Sequence, residues 1–192
     1  MAEILLFHHA LGQTDGVLAF ADELRAAGHV VHTPDLYEGK TFTDVNDGVQ
    51  HAAKELGFDT VRERGQAASE GLPDQIVYAG FSLGAMPAQE LAQTRPGAEG
   101  ALLFHSAIPA SEFGSEWPEG VPLQMHIMEN DPWAGEDIPA ARELAENEDA
   151  ELFLYPGNAH LFADNSTSDY DADAAALLRE RVIAFLNRVD ES

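Results

Sequence analysis

The 192-residue chain contains no cysteine, which excludes disulfides, thiolate nucleophiles and Cys-ligated zinc or iron–sulfur centres. Positive charge is scarce as well. Ten Lys plus Arg stand against 34 Asp plus Glu, a formal net charge of -24, and a surface that negative repels nucleic-acid phosphates and anionic lipid headgroups. Nucleic acid and membrane partners are therefore not expected. Only two of the basic residues are lysines, Lys40 and Lys54. A charge of this size serves solubility in a salt-rich cytoplasm and is equally ordinary in an acidic proteome. Long hydrophobic runs are also missing. The apolar stretch Ile4-Leu5-Leu6-Phe7 is too short, and lacks the basic flank, for a signal peptide or a membrane span, so a cytoplasmic location is expected.

What is present has an ordinary globular balance. Hydrophobic residues make up 45% and charged residues 23%, which excludes a disordered, collagenous or coiled-coil chain, and the length suits one domain over 1–192. Short apolar runs at 3–8, 29–33, 75–81, 100–104, 123–128 and 151–155 read as buried strands. Helical spacing lies between and after them, at 16–27, 42–56, 60–71, 84–94, 138–147 and 171–189. In the first of these Val17, Phe20, Ala21, Leu24 and Ala27 share one face, and Gly28 follows as a C′ residue would. Strands alternating with crossover helices predict right-handed βαβ units. The expected fold is a three-layer αβα sandwich around a mainly parallel sheet. Segment 106–122, with Pro109, Gly114, Pro118 and Gly120, is the longest irregular stretch, of the kind that often shapes sites.

In such a sheet, ligands and reacting groups gather at the carboxyl ends of the strands. Gly80-Phe81-Ser82-Leu83-Gly84 follows one predicted strand and opens a helix, the order a nucleophile elbow needs. Glycines flank the serine because the turn is tight and a Cβ would collide with the adjoining backbone. Ser82 would then stand above the sheet as a nucleophile.

A nucleophilic serine needs a base, and the base an orienting acid, in the chain order Ser, Asp/Glu, His. Three histidines lie downstream. His105 ends a strand, but no strand-end acid lies between it and Ser82. His126 lies inside a strand and is expected to face a helix layer as a core residue. His160, in the loop after the last strand, is the expected base. The acid should leave the end of the strand before it, which selects Asp131, with Glu129 in reserve. The oxyanion hole needs two backbone donors, expected from Leu83 and from Ala10 in the loop after the first strand. Paired His8 and His9 do not make a metal site: adjacent strand residues point to opposite faces, and no H-E-x-x-H or Cys partner exists. Tyr37, His105, Trp133 and Phe162 are strand-end or loop groups expected at the pocket wall.

Together these segments resemble the dienelactone hydrolase family of the α/β-hydrolase fold. Beyond the order Ser82, Asp131, His160, the resemblance rests on Thr33-Pro34-Asp35-Leu36-Tyr37, on Tyr78 to Gly84, and on Tyr155-Pro156-Gly157-Asn158-Ala159-His160-Leu161-Phe162-Ala163. It implies hydrolysis of a small ester or lactone, with a thioester open, through an acyl-enzyme and without cofactor or metal. Three positions depart from the family pattern. Ser82 stands where its best-known members have cysteine, His9 where they have a glutamate that assists the thiol, and Asp164 where an arginine would hold the substrate's carboxylate. Both His9 and Asp164 are thereby expected at the pocket. The dienelactone substrate itself is not implied, because the cationic group it needs is absent there.

Two readings from other classes stay open. A small-ligand receptor on the same fold would not need all three groups, Ser82, Asp131 and His160. A flavodoxin- or Rossmann-like nucleotide binder would need a glycine-rich turn after the first strand, where His8-His9-Ala10-Leu11-Gly12 supplies one glycine. Within hydrolases, a peptidase stays open.

Overall fold

The computed structural model describes residues 1–114, 116–147 and 149–191. Six strands form: β1 (Glu3–Phe7), β2 (Val30–His32), β3 (Ile76–Phe81), β4 (Ala98–Phe104), β5 (Leu123–Met128) and β6 (Ala150–Tyr155). They make one sheet in the order β2-β1-β3-β4-β5-β6, and every pairing is parallel. Each lies within two residues of its expected bounds. Parallel strands covered on both faces are apolar throughout rather than alternating, and β3 and β5 are buried at every position.

Six helices complete the layers: α1 (Asp15–Ala26), α2 (Val45–Gln50), α3 (Phe58–Ser69), α4 (Ala85–Thr94), α5 (Asp137–Leu144) and α6 (Ala172–Asp190). On one face Val17, Phe20 and Leu24 of α1 meet Leu178, Val182 and Phe185 of α6. On the other, Val61 of α3, Ala88 and Leu91 of α4 and Leu144 of α5 close over Tyr78, Leu103 and Met125. This is the expected αβα sandwich. No helix among the described residues is long and apolar enough to cross a membrane.

Local signals set the helix ends. Thr14 caps α1 by accepting from the Val17 N–H. At its other end the Gly28 and His29 amides return to the carbonyls of Arg25 and Leu24, with Gly28 at φ +99°, a Schellman ending that a left-handed glycine permits. The segment expected as one helix over 42–56 divides differently. Asp44 accepts from the amides of Asn46 and Asp47 and so starts α2 at Val45, while His51–Leu56 is wound as a π-helix. Phe42 stays outside the helix, its ring packed against those of Tyr37 and His51. The irregular stretch after β4 is partly ordered by a 3-10 turn at Ala110–Phe113 and by the Gln89 side chain, which bonds both the N–H and the C=O of Ile108. Ser115 lies outside the described residues.

The chain runs from β1 to β2 on one side, then crosses back past β1 to place β3 and all later strands on the other. The strand order therefore reverses between β1 and β3. That reversal opens a crevice at their carboxyl ends, and the loops leaving these two strands are the ones that hold Ala10 and Ser82.

Candidate active site

At the end of β3 the chain turns sharply through Ser82–Gly84, a 3-10 turn that leads straight into α4. Ser82 has φ +49°, a left-handed conformation that a non-glycine residue adopts only when its surroundings impose it. The flanking glycines show how. A Cβ on Gly80 would run into the Gly84 carbonyl, and one on Gly84 would run into the backbone of Phe7 and His8 in β1. The elbow is thus locked against both its own helix and the neighbouring strand.

The half-buried Ser82 has its Oγ 2.7 Å from His160 Nε2. His160 Nδ1 lies 2.6 Å from Asp131 Oδ2, and the other oxygen of Asp131 accepts from the Trp133 N–H at 2.8 Å. With Nδ1–H donating to the carboxylate, Nε2 is left as the acceptor for the Ser82 hydroxyl. Asp131 is only 4% exposed. Glu129 is exposed at the strand exit, so the carboxylate brought to His160 is that of Asp131. The His160 turn is itself held, because Asp169 Oδ2 accepts from the amides of both His160 and Leu161 at 3.2 Å.

Ala10 is buried, and its N–H donates to no acceptor among the described residues. Buried amides are nearly always paired, so this one stands out. Leu83 follows Ser82 at the start of a helical turn, where amides lack intrahelical partners. The loop that carries Ala10 is fixed from three directions. His8 donates from Nδ1 to the His9 carbonyl and accepts at Nε2 from the Leu36 N–H, and burial pushes its pKa down to about 4. Asp35 accepts from the Tyr37 and Gly39 amides, so the Pro34-Asp35-Leu36-Tyr37 signature is the bracket that seats His8. Gly48 of α2 packs so closely on the Ala10 carbonyl that a Cβ would not fit.

The third contact corrects an expectation. His9 and Asp164, both expected at the pocket, are 0% and 1% exposed and bond to each other, Nε2 to Oδ2, at 2.6 Å. His9 Nδ1 accepts from the Leu11 N–H, so Nε2 is the donor. Asp164 also accepts from the hydroxyls of Thr14 and Ser166. Burial alone would raise its pKa, but the hydrogen bonds from His9, Ser166 and Thr14 outweigh it and hold the carboxyl at about 2. The two departures from the family pattern are thus one buried pair, which ties the loop after β1 to the loop of His160.

Three other expected wall residues are also buried. Tyr37, 1% exposed, packs its ring edge-on against those of His8 and His51. Phe162 lies in the core with Tyr155. His105, fully buried at φ +66°, lies with its ring 6.1 Å from that of His160 and against Phe81 and Phe162. Neither of its ring nitrogens has a partner among the described residues, and burial drives its pKa well below the usual histidine range. Aromatic bulk at these strand ends fills the core beneath the site rather than its rim. Trp133 differs, 42% exposed with its ring 6.0 Å from that of His160. His126 is the core residue expected, buried between the Tyr155 hydroxyl and Gln124.

Sequence reasoning overlooked Asp137 and Asp169. At the start of α5, burial raises the pKa of Asp137, against the opposing influence of Ser106 and of the nearby His160. In a chain with 34 acids, nothing local singles out either one.

Residues 1–190 match the model of the dienelactone hydrolase family. A protein of Saccharolobus solfataricus, named as a candidate carboxymethylenebutenolidase, is 28% identical over 150 residues, which cover 74% of this chain and 55% of that protein. The chain thus spans about half the length of the curated relative it matches. Among solved structures, a dienelactone hydrolase-like promiscuous phosphotriesterase from metagenomic libraries superposes with TM-score 0.79 at 18% identity, covering 98% of this chain and 87% of that one. A dienelactone hydrolase from Anabaena variabilis gives 0.72 at 17%, covering 98% and 86%. The chain belongs to the dienelactone hydrolase family, and its parallel sheet with helices on both faces has the α/β-hydrolase fold.

Proposed function

We propose that this hydrolase cleaves a small ester, lactone or thioester by serine acyl transfer. The observation that carries the reading is the unbroken run of short hydrogen bonds from Ser82 through His160 to Asp131, 2.7 and 2.6 Å long. Its order and tautomer match what nucleophile, base and orienting acid require.

Ser82 Oγ attacks the carbonyl carbon while His160 Nε2 takes its proton. The carbonyl oxygen, now negative, accepts from the Leu83 and Ala10 amides, and an amide already unpaired and buried needs no reorganisation to receive it. His160 then donates the proton to the leaving oxygen or sulfur, whose bond to carbon breaks and leaves the acyl group on Ser82. Water deprotonated by His160 adds to that acyl carbon, and Ser82 departs with the proton returned. Asp131 stabilises the imidazolium in each half-reaction without taking its proton.

The relatives' names, dienelactone hydrolase and dienelactone hydrolase-like phosphotriesterase, agree with hydrolytic chemistry. An anionic dienelactone is not the substrate this site favours, since the position expected to hold an arginine is the buried acid Asp164. Replacement tests the reading directly. Ser82→Ala should lower kcat for a neutral p-nitrophenyl ester by about four to six orders of magnitude, because these groups act as a unit. Activity within tenfold of the unmodified enzyme would refute it.

A further inference from the structure

The loops that carry Ala10 and His160 also face each other across an open cleft of about 290 Å³. Its walls begin at Leu11 and Leu161, each one residue, about 3.8 Å along the chain, from the amide and the imidazole of the proposed mechanism. Phe42 and Val45 add apolar surface, and Thr43, Thr167 and Ser168 add polar surface. Thr14 and Ser166 also border it, but their hydroxyls are engaged with Asp164. Among the described residues that line it there is no Lys or Arg, and Asp169 is the one charged side chain. This half-buried carboxylate uses one oxygen, Oδ2, on the His160 and Leu161 amides.

The geometry points to this cleft as the subsite for the non-reacting arm of the substrate, taking uncharged or cationic organic groups and rejecting carboxylates, with Asp169 as the specificity-determining residue. The assignment rests on Ser82 and His160 acting as proposed above. In a wall of mixed polarity, Leu11, Phe42, Val45 and Leu161 supply the apolar contact for an alkyl or aryl arm. Fixed negative charge beside the reacting centre decides which arms enter. Two like charges about 6 Å apart at an effective dielectric near 20 differ from a neutral pair by about a hundredfold in binding. Exposure to solvent and salt reduces this, so a tenfold discrimination is the expected size.

The test compares kcat/KM for matched esters ending in a methyl, carboxylate or ammonium group, in one series on the acyl arm and in a second on the alcohol arm. Both are measured at about 20 mM and about 500 mM NaCl. In at least one series the carboxylate ester should fall at least tenfold below the methyl ester at low salt. The ammonium ester should equal or exceed it, with the spread shrinking at high salt. Asp169→Asn keeps an oxygen for the two amides and removes the charge. It should raise the carboxylate ester and lower the ammonium ester, bringing all three within about threefold. A change of the same sign and size on all three esters would mean that Asp169 only positions His160, and would overturn the subsite. So would no discrimination in either series. Fluorophosphonate labelling of both proteins separates the two readings. If Ser82 labels equally in both and the ester ranking is unchanged, the subsite alone fails, whereas absence of labelling at Ser82 defeats the serine mechanism on which it rests.

Discussion

Ser82 is held at φ +49°, and a non-glycine residue in that region costs on the order of 1 to 3 kcal/mol. The surrounding fold supports the strain, so relieving it should separate stability from activity. Ser82→Gly is expected to raise the unfolding free energy by about 1 kcal/mol while removing the proposed nucleophile, measured by urea denaturation beside an ester assay. Unchanged or lower stability would mean that the elbow is not strained. The acid offers a second comparison. Asp131→Asn should lower kcat by about 10⁴-fold, because with the amide oxygen kept on the Trp133 N–H its NH2 donates to His160 Nδ1 and leaves the proton on Nε2, the tautomer that cannot act as base. Glu129→Gln, altered at an exposed position, should stay within about threefold. The reverse ranking would move the orienting role to Glu129. Ser82, Asp131 and His160 were legible because each follows a strand in the order the chemistry demands. His9 and Asp164 were legible only as departures from a pattern. Their pairing across 155 residues of sequence has no local signature, and burial rather than charge decides what Asp164 does.

Two loops far apart in the chain are fastened by that pair, the one after β1 and the one after β6. Asp164 is ionised in the fold down to about pH 2, below the ordinary carboxyl value, so its stabilisation is complete above about pH 4 and lost as pH falls towards 2. Removing the acceptor should be felt at both ends. Asp164→Ala leaves the buried His9 without its acceptor and frees the Thr14 and Ser166 hydroxyls, and should cost about 3 kcal/mol in stability. It should also lower kcat by at least tenfold through a displaced Ala10 amide. Loss of stability with kcat intact would show that the clamp holds the fold and not the oxyanion loop. At this scale the six strands were readable because a buried parallel strand is a short run of Val, Ile, Leu and Phe bounded by turns. The helix over 42–56 was misjudged because the Asp44 cap and the π-helical turn at His51–Leu56 interrupt one continuous apolar pattern. Aromatic residues at strand ends misled for a related reason: the sequence marks where a strand stops but not how deep its last side chain lies.

Across the whole molecule, charge and buried histidines act on stability in opposite ways. A net charge of -24 is repulsive at neutral pH, so added salt should raise Tm. Burial holds the pKa of His8 at about 4, that of His126 at about 3 and that of His105 well below normal. The unfolded chain takes up protons at these positions near pH 6.5 and the folded one does not. Their contribution is therefore complete above about pH 6.5 and falls with pH towards 4, by up to about 1.4 kcal/mol per pH unit for each group. With repulsion screened by about 1 M NaCl, the urea midpoint should drop between pH 7 and pH 5. A flat profile over that interval would contradict the burial of neutral imidazoles.

The central claim is that Ser82 is an activated nucleophile in the crevice between β1 and β3, and covalent labelling tests it most directly. Intact mass after exposure to a fluorophosphonate probe should show one adduct per chain, mapped by peptide sequencing to Ser82. The adduct should be absent from Ser82→Ala and should form at least a hundredfold more slowly in His160→Ala. No adduct, an adduct at another residue, or labelling of Ser82 that is indifferent to His160 would contradict it.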